Sequence, residues 1–296
     1  MIENFIKENN IKYYKDASLK KYNTYKINAK CNYLLFPQTK EEIIKVLKYL
    51  KENNIKFMVL GNGSNVIFKK PNYDGVIIKL DYLKKLIRNK NNLIVESGYS
   101  LIKLAAESAV MGLSGLEFAS GIPGCIGASI AMNAGAYNDS LSEVVESVEV
   151  IDNNFEIKTM YNKALNFGYR DSFFKHNKDY IIISCKLKLT PETKEKRVEL
   201  INKRRKRRQE TQPLNYPSAG SVFRNPEGLH AGALIEQCGL KGYKIGGAMI
   251  SEKHANFIIN YDNATGEDIV NLINYTKEKV KEKFNIELIL EQIIID

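Results

Sequence analysis

The chain has 296 residues, 44% of them hydrophobic and 26% charged, with a formal net charge of +10. That composition belongs to a folded protein and excludes a disordered one, and the length favours two or three domains over a single core. No apolar run approaches the ~18 residues of a membrane helix, and the N-terminus lacks the apolar segment of a secretory signal, so a soluble, cytoplasmic protein is expected.

The cysteines Cys31, Cys125, Cys185 and Cys238 form no Cys-x-x-Cys, and the histidines His176, His230 and His254 show no ligand spacing. Neither a metal site nor a disulfide scaffold is expected. The positive charge admits a nucleic-acid surface, an anionic substrate or a compositional bias toward lysine, and it does not choose among them.

After a polar start, Tyr22–Ile27 and Tyr33–Phe36 read as short strands. Thr39 with Glu42 forms a capping box ahead of a helix that uses Ile43, Ile44, Val46, Leu47 and Leu50. Phe57–Leu60 is a buried strand running straight into Gly61-Asn-Gly-Ser-Asn65, and Val66–Phe68 and Val76–Ile78 follow as strands. Strand, helix, strand and glycine loop is the order of an α/β nucleotide-binding unit. Leu93–Glu96 is a further strand, and Ser100 caps a helix to about Met111.

Next comes a stretch without charge, Gly121-Ile-Pro-Gly-Cys-Ile-Gly-Ala-Ser-Ile-Ala-Met-Asn-Ala-Gly-Ala-Tyr137. So little side-chain bulk serves either a tight packing seam or a backbone cradle for a flat or phosphorylated ligand. With the upstream glycine loop it makes two candidate walls of one cofactor site.

Val144–Ile151 and Glu156–Met160 are spaced as a hairpin, and Tyr180–Leu189 alternates clearly as a strand. A charged helix over about 192–210 carries six consecutive basic residues, Lys203 to Arg208. At ~100° per residue such a run surrounds the helix and makes no stripe, as in a solvated connector; phosphate or RNA contact is the alternative. Ala231–Cys238 is a short helix stopped by Gly239. Phe257–Asn260 is a strand, Thr265 caps a long amphipathic helix to about Phe284, and Ile286–Ile295 is a terminal strand.

Several groups in these elements can do chemistry. Gly61 to Asn65 is neither the dinucleotide fingerprint nor a P-loop, yet its backbone N–H groups could bind a pyrophosphate, with a plain hairpin as the alternative. Gly168-Tyr-Arg-Asp-Ser172 offers an arginine fork for a carboxylate or enolate, or else a surface ion pair between Arg170 and Asp171. Ala219-Gly-Ser-Val-Phe223 lacks the nucleophile elbow but could present Ser221 as a general acid. In the terminal strand, alternation sets Glu287, Ile289, Glu291 and Ile293 on one face, with Leu288, Leu290 and Gln292 on the other.

Taken in order, these motifs resemble the UDP-N-acetylenolpyruvoylglucosamine reductase family, also called UDP-N-acetylmuramate dehydrogenase. The resemblance is carried by Gly61–Asn65, Gly121–Ala128 with Met132–Ala136, Tyr169–Ser172, and Pro217-Ser-Ala-Gly-Ser-Val-Phe-Arg-Asn-Pro226. Gly242–Ala248 with His254-Ala-Asn256 and the segment around Glu291 complete it. It runs from about residue 20 to the end, and the Pro-Ser-Ala-Gly-Ser form is similar to the type II branch, which lacks a tyrosine-bearing lid loop.

The resemblance implies an α+β fold: a two-subdomain FAD-binding domain of the vanillyl-alcohol oxidase (PCMH) type plus a C-terminal α+β substrate domain. The expected division is 1–80 and 81–195 for the two flavin subdomains and 196–296 for the substrate domain. It also implies non-covalent FAD, NADPH as electron donor, a UDP-sugar substrate, and a role in peptidoglycan precursor synthesis, with no nucleic-acid partner. A monomer is expected, a dimer being the alternative.

Carried over residue by residue, the family's catalytic groups fall on Arg170, Ser221 as proton donor, and Glu291. FAD contacts fall on Gly61, Asn62, Gly63, Ser64, Asn65, Gly121, Ile122, Pro123, Gly124, Gly127 and Ala128. Substrate contacts fall on Tyr169, Tyr216, Arg224, Asn225 and His254. The chain departs from the pattern at Arg224, where lysine is common. It departs again at Ile289-Leu-Glu-Gln-Ile293, where the usual form is closer to Glu-Pro-Glu-Val and Glu287 competes for the role of Glu291.

Overall fold

The computed structural model describes residues 2–296, which divide into two compact units. Neither unit is a continuous piece of chain. The first takes the residues up to Lys15, Tyr33–Gly61 and Gly75–Lys206; the second takes Asp16–Asn32, Asn62–Asp74 and Arg207–Asp296.

The first unit is built on a five-stranded antiparallel sheet in the order Ile157–Tyr161, Val145–Ile151, Ile181–Lys188, Asn92–Glu96, Leu86–Asn89. The strand expected from the alternation at 180–189 lies at its centre. Both of its faces are covered, because Ile182, Cys185 and Leu187 enter one apolar cluster and Ile181 and Ile183 another. The helix Leu101–Val110, capped by the Ser100 hydroxyl, supplies Leu101, Leu104 and Ala105 to the first cluster. The short helix Ile126–Ala131 lies against Ile181–Lys188 and adds Ile126 and Ile130.

A second sheet runs Lys12–Ser18, Lys30–Phe36, Asn72–Ile78, Phe57–Val59, its last pair parallel. The helix Lys40–Glu52 forms half of the expected capping box: Thr39 Oγ1 accepts from Glu42 N at 3.2 Å, while the Glu42 carboxylate accepts from Gln38 N at 2.7 Å, one residue before the N-cap. Ile43, Val46, Leu47 and Leu50 are buried together with Leu35, Val76 and Ile78. Each such side chain contributes roughly 1.5–3 kcal/mol on leaving water.

The second unit holds a three-stranded antiparallel sheet, Lys244–Ile245, Ala248–Ile250 and Ile258–Asn260, and the helices Ala231–Gln237 and Gly266–Phe284. Thr265 and Asp268 form a capping box at the start of the long helix. A β-carbon on Gly266 would lie 1.8 Å from the Phe68 carbonyl oxygen, so the helix starts in direct backbone contact with the strand Val66–Phe68. That strand pairs in parallel with Ile293–Ile295.

Two expected strands are corrected. Tyr22–Ile27 is irregular apart from a 3-10 turn, because the buried Asn23 side chain occupies the backbone groups a ladder would need. Its amide donates to the carbonyls of Leu19 and Ile27 and accepts from Ile27 N. The terminal strand is confined to Ile293–Ile295, preceded by an isolated bridge between Phe223 and Leu290. The alternation still holds there: Leu288 and Gln292 are buried, while Glu287, Ile289 and Ile293 are exposed. The helix Ile2–Glu8 and the strand Lys12–Ser18 occupy the stretch read only as a polar start.

Candidate active site

In the first unit, Leu60 N donates to Ile78 O at 2.9 Å, and the chain turns at Gly61. A β-carbon there would lie 2.7 Å from Ala128 Cβ and 3.1 Å from Cys125 Sγ. The two glycine segments therefore touch. Gly124 and Gly127 are equally confined, with virtual β-carbons 2.4 Å from Ser129 Oγ and 2.8 Å from Ser97 Cβ. The packing seam is real, and along it Pro123 and Ala128 are exposed while Gly61, Gly121 and Ile122 are half-buried. An edge of small, uncharged residues lets a flat or phosphorylated ligand come close to the backbone.

One feature of this seam, Lys79, had no sequence signal, while the place of Cys125 in the uncharged stretch marked it as a small buried hydrophobe. Lys79 is 3% exposed, donates its ammonium to the Gly61 carbonyl, and pairs with Asp81 at 3.2 Å. Cys125 is buried at the start of the helix Ile126–Ala131, and desolvation pushes its thiol pKa up, so it packs as a small apolar group.

The plain hairpin reading of Gly61–Asn65 fails, since Phe57–Val59 and Val66–Phe68 pair with different partners. Beyond Gly61 the loop belongs to the second unit. Gly63 is left-handed (φ +64°) and so close to Tyr22 O that a β-carbon would lie 2.1 Å away. Asn65 Nδ2 donates to Glu291 O at 3.1 Å, and Ile293 N donates to Asn65 O at 2.9 Å, tying the loop to the C-terminal segment.

Arg170 is also in the first unit, on a tight turn in which Gly168 and Asp171 exchange backbone hydrogen bonds of 3.0 and 3.2 Å. Its φ of +55° is left-handed, a conformation that costs a non-glycine residue of order 1–3 kcal/mol. Three bonds tie this turn to the end of the glycine stretch. Arg170 Nη2 donates to Gly135 O at 2.6 Å, Asn133 Nδ2 to Gly168 O at 2.8 Å, and Ser172 Oγ to Ala131 O at 2.6 Å. The guanidinium lies 5.2 Å from the ring centre of the exposed Tyr169. Asp171 turns to His176 at 3.1 Å and to Ser172 N, which answers the ion-pair alternative in favour of a separately oriented arginine.

Ser221 lies in the second unit on a segment fixed from several sides. Val222 N donates to Asn256 O at 2.9 Å; the buried Asn256 amide then accepts from Phe223 N at 3.0 Å and donates to Phe223 O at 2.8 Å. Opposite, Glu291 N donates to Val222 O and Arg224 N to Ile289 O, both at 2.9 Å. Ser221, Asn225 and His254 line one cleft of about 340 Å³, with His230, Glu236 and Lys253 at its other walls. His254 Nδ1 accepts from Asn256 N at 3.2 Å, which assigns its proton to Nε2. Burial lowers its pKa, so it faces the cleft as a neutral donor. Tyr216 packs on Tyr261 with ring centres 5.8 Å apart, and Arg224 is half-buried. Gln292 and Tyr25, which help organise this segment, escaped sequence reasoning, and Asn256 entered it only as part of the His254-Ala-Asn256 motif; the break of apolar pattern at Gln292 is the one signal the sequence holds for the other two.

In the basic run, Lys203, Arg205, Lys206 and Arg207 are exposed, whereas Arg204 is folded over the Tyr137 ring (4.5 Å) with Asp139 at 3.5 Å. No helix among the described residues is long and apolar enough to cross a membrane.

Comparison with known proteins first defines a class. Residues 31–160, which include both glycine segments, match the family model described as FAD binding domain; the chain is an FAD-dependent oxidoreductase of α+β fold. Residues 212–295 match the model of the UDP-N-acetylenolpyruvoylglucosamine reductase C-terminal domain. Similar proteins include UDP-N-acetylenolpyruvoylglucosamine reductases from Caldanaerobacter subterraneus subsp. tengcongensis and Clostridium beijerinckii. The first is 44% identical over 95% of this chain and 92% of the relative; the second is 43% identical over 92% and 90%. The solved reductase of Thermus caldophilus superposes with a TM-score of 0.81 at 31% identity, covering 97% of this chain and 99% of that one. The chain belongs to the UDP-N-acetylenolpyruvoylglucosamine reductase family.

Proposed function

We propose that the protein uses NADPH to reduce UDP-N-acetylglucosamine enolpyruvate to UDP-N-acetylmuramate, a step of peptidoglycan precursor synthesis in the cytoplasm. Identity of 44% along nearly the whole chain carries the reading. The loop that presents Ser221 at the edge of a cleft with His254 supports it. FAD, when bound, supplies the hydride chemistry between the nicotinamide and the vinyl methylene carbon of the substrate.

Gly61–Asn65, Gly121–Gly124, Gly127 and Ala128 hold the cofactor through peptide groups. Hydride arrival at the methylene carbon spreads negative charge into the substrate carboxylate as an enolate. Arg170, its fork steadied by the Gly135 carbonyl, stabilises that charge together with Glu291, protonated or bridged. Ser221 Oγ–H gives its proton to the adjacent carbon; a serine hydroxyl is a weak acid, and the strongly basic enolate makes the transfer feasible. Tyr169, Tyr216, Arg224, Asn225 and the neutral His254 bind the sugar nucleotide.

The test separates the two halves of the reaction. NADPH should bleach the flavin, and the enolpyruvyl sugar should restore its colour. Ser221→Ala should leave the first nearly intact and slow the second by about 10²–10⁴-fold. A flavin that the sugar does not reoxidise refutes the reading.

A further inference from the structure

Gln292 follows Glu291, points to the opposite side, and is 3% exposed. A buried amide needs partners for its oxygen and both N–H bonds. Its Oε1 accepts from Tyr25 Oη at 3.0 Å. Its Nε2 donates to Ala219 O at 3.0 Å, with Gly220 O at 3.3 Å and Ser221 O at 3.5 Å. This fixes the orientation of the amide, since a flipped group would set its oxygen against those carbonyls. Tyr25 is fully buried, and its main chain is anchored because its carbonyl accepts from Asn260 Nδ2 at 2.8 Å.

The carbonyls that Gln292 grips belong to the residues leading into Ser221. Gly220 is left-handed (φ +75°), and a β-carbon there would meet nothing within 4 Å, so the side of the chain at that residue is open. The amide bonds the carbonyls on both sides of this open, left-handed residue. One residue away, Glu291 N holds Val222 O at 2.9 Å. The C-terminal segment thus brackets Ser221, by a side chain before it and a main-chain bond after it.

We propose that Gln292, oriented by Tyr25, is a positioning residue for the proton donor, setting Ser221 in register with Glu291. The inference rests on the proposed reaction. It requires the pair to govern proton delivery while leaving cofactor binding and flavin reduction alone, a pattern that a merely structural role would not produce. Near-attack geometry is steep in distance, with a ~1 Å displacement worth about 10²-fold in rate.

The experiment uses the FAD-loaded full-length protein. Anaerobic rapid mixing measures reduction by NADPH, then reoxidation of reduced enzyme by the enolpyruvyl sugar, for wild type, Gln292→Met, Tyr25→Phe and Ser221→Ala. FAD affinity is measured alongside by flavin fluorescence. Gln292→Met is expected to slow reoxidation by about 10²-fold and to leave the reduction rate and FAD affinity within about twofold. Tyr25→Phe, which removes one atom and frees the amide to turn, should slow reoxidation by about tenfold, and it carries the same comparison if Gln292→Met does not fold. Parallel losses in both half-reactions, or reoxidation unchanged in a variant whose Ser221→Ala counterpart is slow, overturns the positioning role alone. A wild-type enzyme that the sugar does not reoxidise overturns this proposal and the functional reading together.

Discussion

Gly61→Ala probes the seam between the glycine segments at a single atom. The backbone at Gly61 is not left-handed, so alanine brings no conformational penalty and the whole effect comes from space. The new β-carbon would lie 2.7 Å from Ala128 Cβ, about 0.8–1.3 Å inside the ~3.5–4.0 Å contact of two carbons. Cys125 Sγ at 3.1 Å and the Lys79 ammonium on the Gly61 carbonyl limit how far the loop can retreat. Overpacking of this kind costs typically 1–3 kcal/mol. If the loop yields by opening the flavin-binding edge, that cost appears as a roughly 5- to 150-fold weaker FAD affinity, at 1.4 kcal/mol per tenfold. Fluorescence titration of apoprotein with FAD, run beside a urea melt, measures both routes. Gly61→Ala/Ala128→Gly removes the closer clash and should recover most of the loss. Wild-type affinity and stability in the single variant, or no recovery in the double, would refute the contact.

Other consequences follow from the second unit. Asn256→Leu leaves Phe223 N–H and C=O buried without partners; at roughly 1–3 kcal/mol for each group it should cost about 2–6 kcal/mol in a urea melt, and a loss under 1 kcal/mol would count against the forked bond. Glu291→Gln should slow flavin reoxidation more than Glu287→Gln, because Glu287 is exposed while Glu291 N is bonded to the Ser221 segment; the reverse order would move the catalytic carboxylate by four residues. The His254 ring should titrate below the ordinary ~6.5 by NMR, since burial disfavours its charged form. With the folded pKa depressed, the unfolded chain binds the extra proton first. The stability contributed by His254 is therefore fully present above the unfolded pKa of ~6.5 and is lost as the pH falls from there through the lower folded pKa; His254→Asn should flatten the fall.

Local rules accounted for much of the fold, and their failures have specific causes. The capping residues Thr39, Ser100 and Thr265 start the helices they were expected to start, because a cap is a contact between neighbours in sequence. The strand at 181–188 was visible because alternation records burial directly. Tyr22–Ile27 misled because its strand-like residues are overruled by Asn23, whose bonds to Leu19 and Ile27 depend on a loop geometry no propensity encodes. The terminal segment alternates as a strand does, yet only Ile293–Ile295 finds a ladder partner.

The uncharged run from Gly121 to Tyr137 and the loop at Gly61 were recognisable as sequence, since bulk and charge are properties of the residues themselves. Motif order then identified the family and, with it, the cofactor. Whether those glycines pack a seam depended on distances between Gly61, Ala128 and Cys125, more than sixty positions apart in the chain, and the tertiary structure answered that the seam is there, with Pro123 and Ala128 exposed along it. The same holds for the return of 16–32 and 62–74 to join 207–296, and for Lys79, Asn256, Gln292 and Tyr25. Lys79, Asn256 and Gln292 satisfy backbone groups far away in sequence, and Tyr25 bonds the Gln292 side chain; hydrogen bonds of that kind leave no periodicity behind. Sequence alone determined what kind of chemistry the chain carries; only folding decided which side chains hold the chemical groups in place.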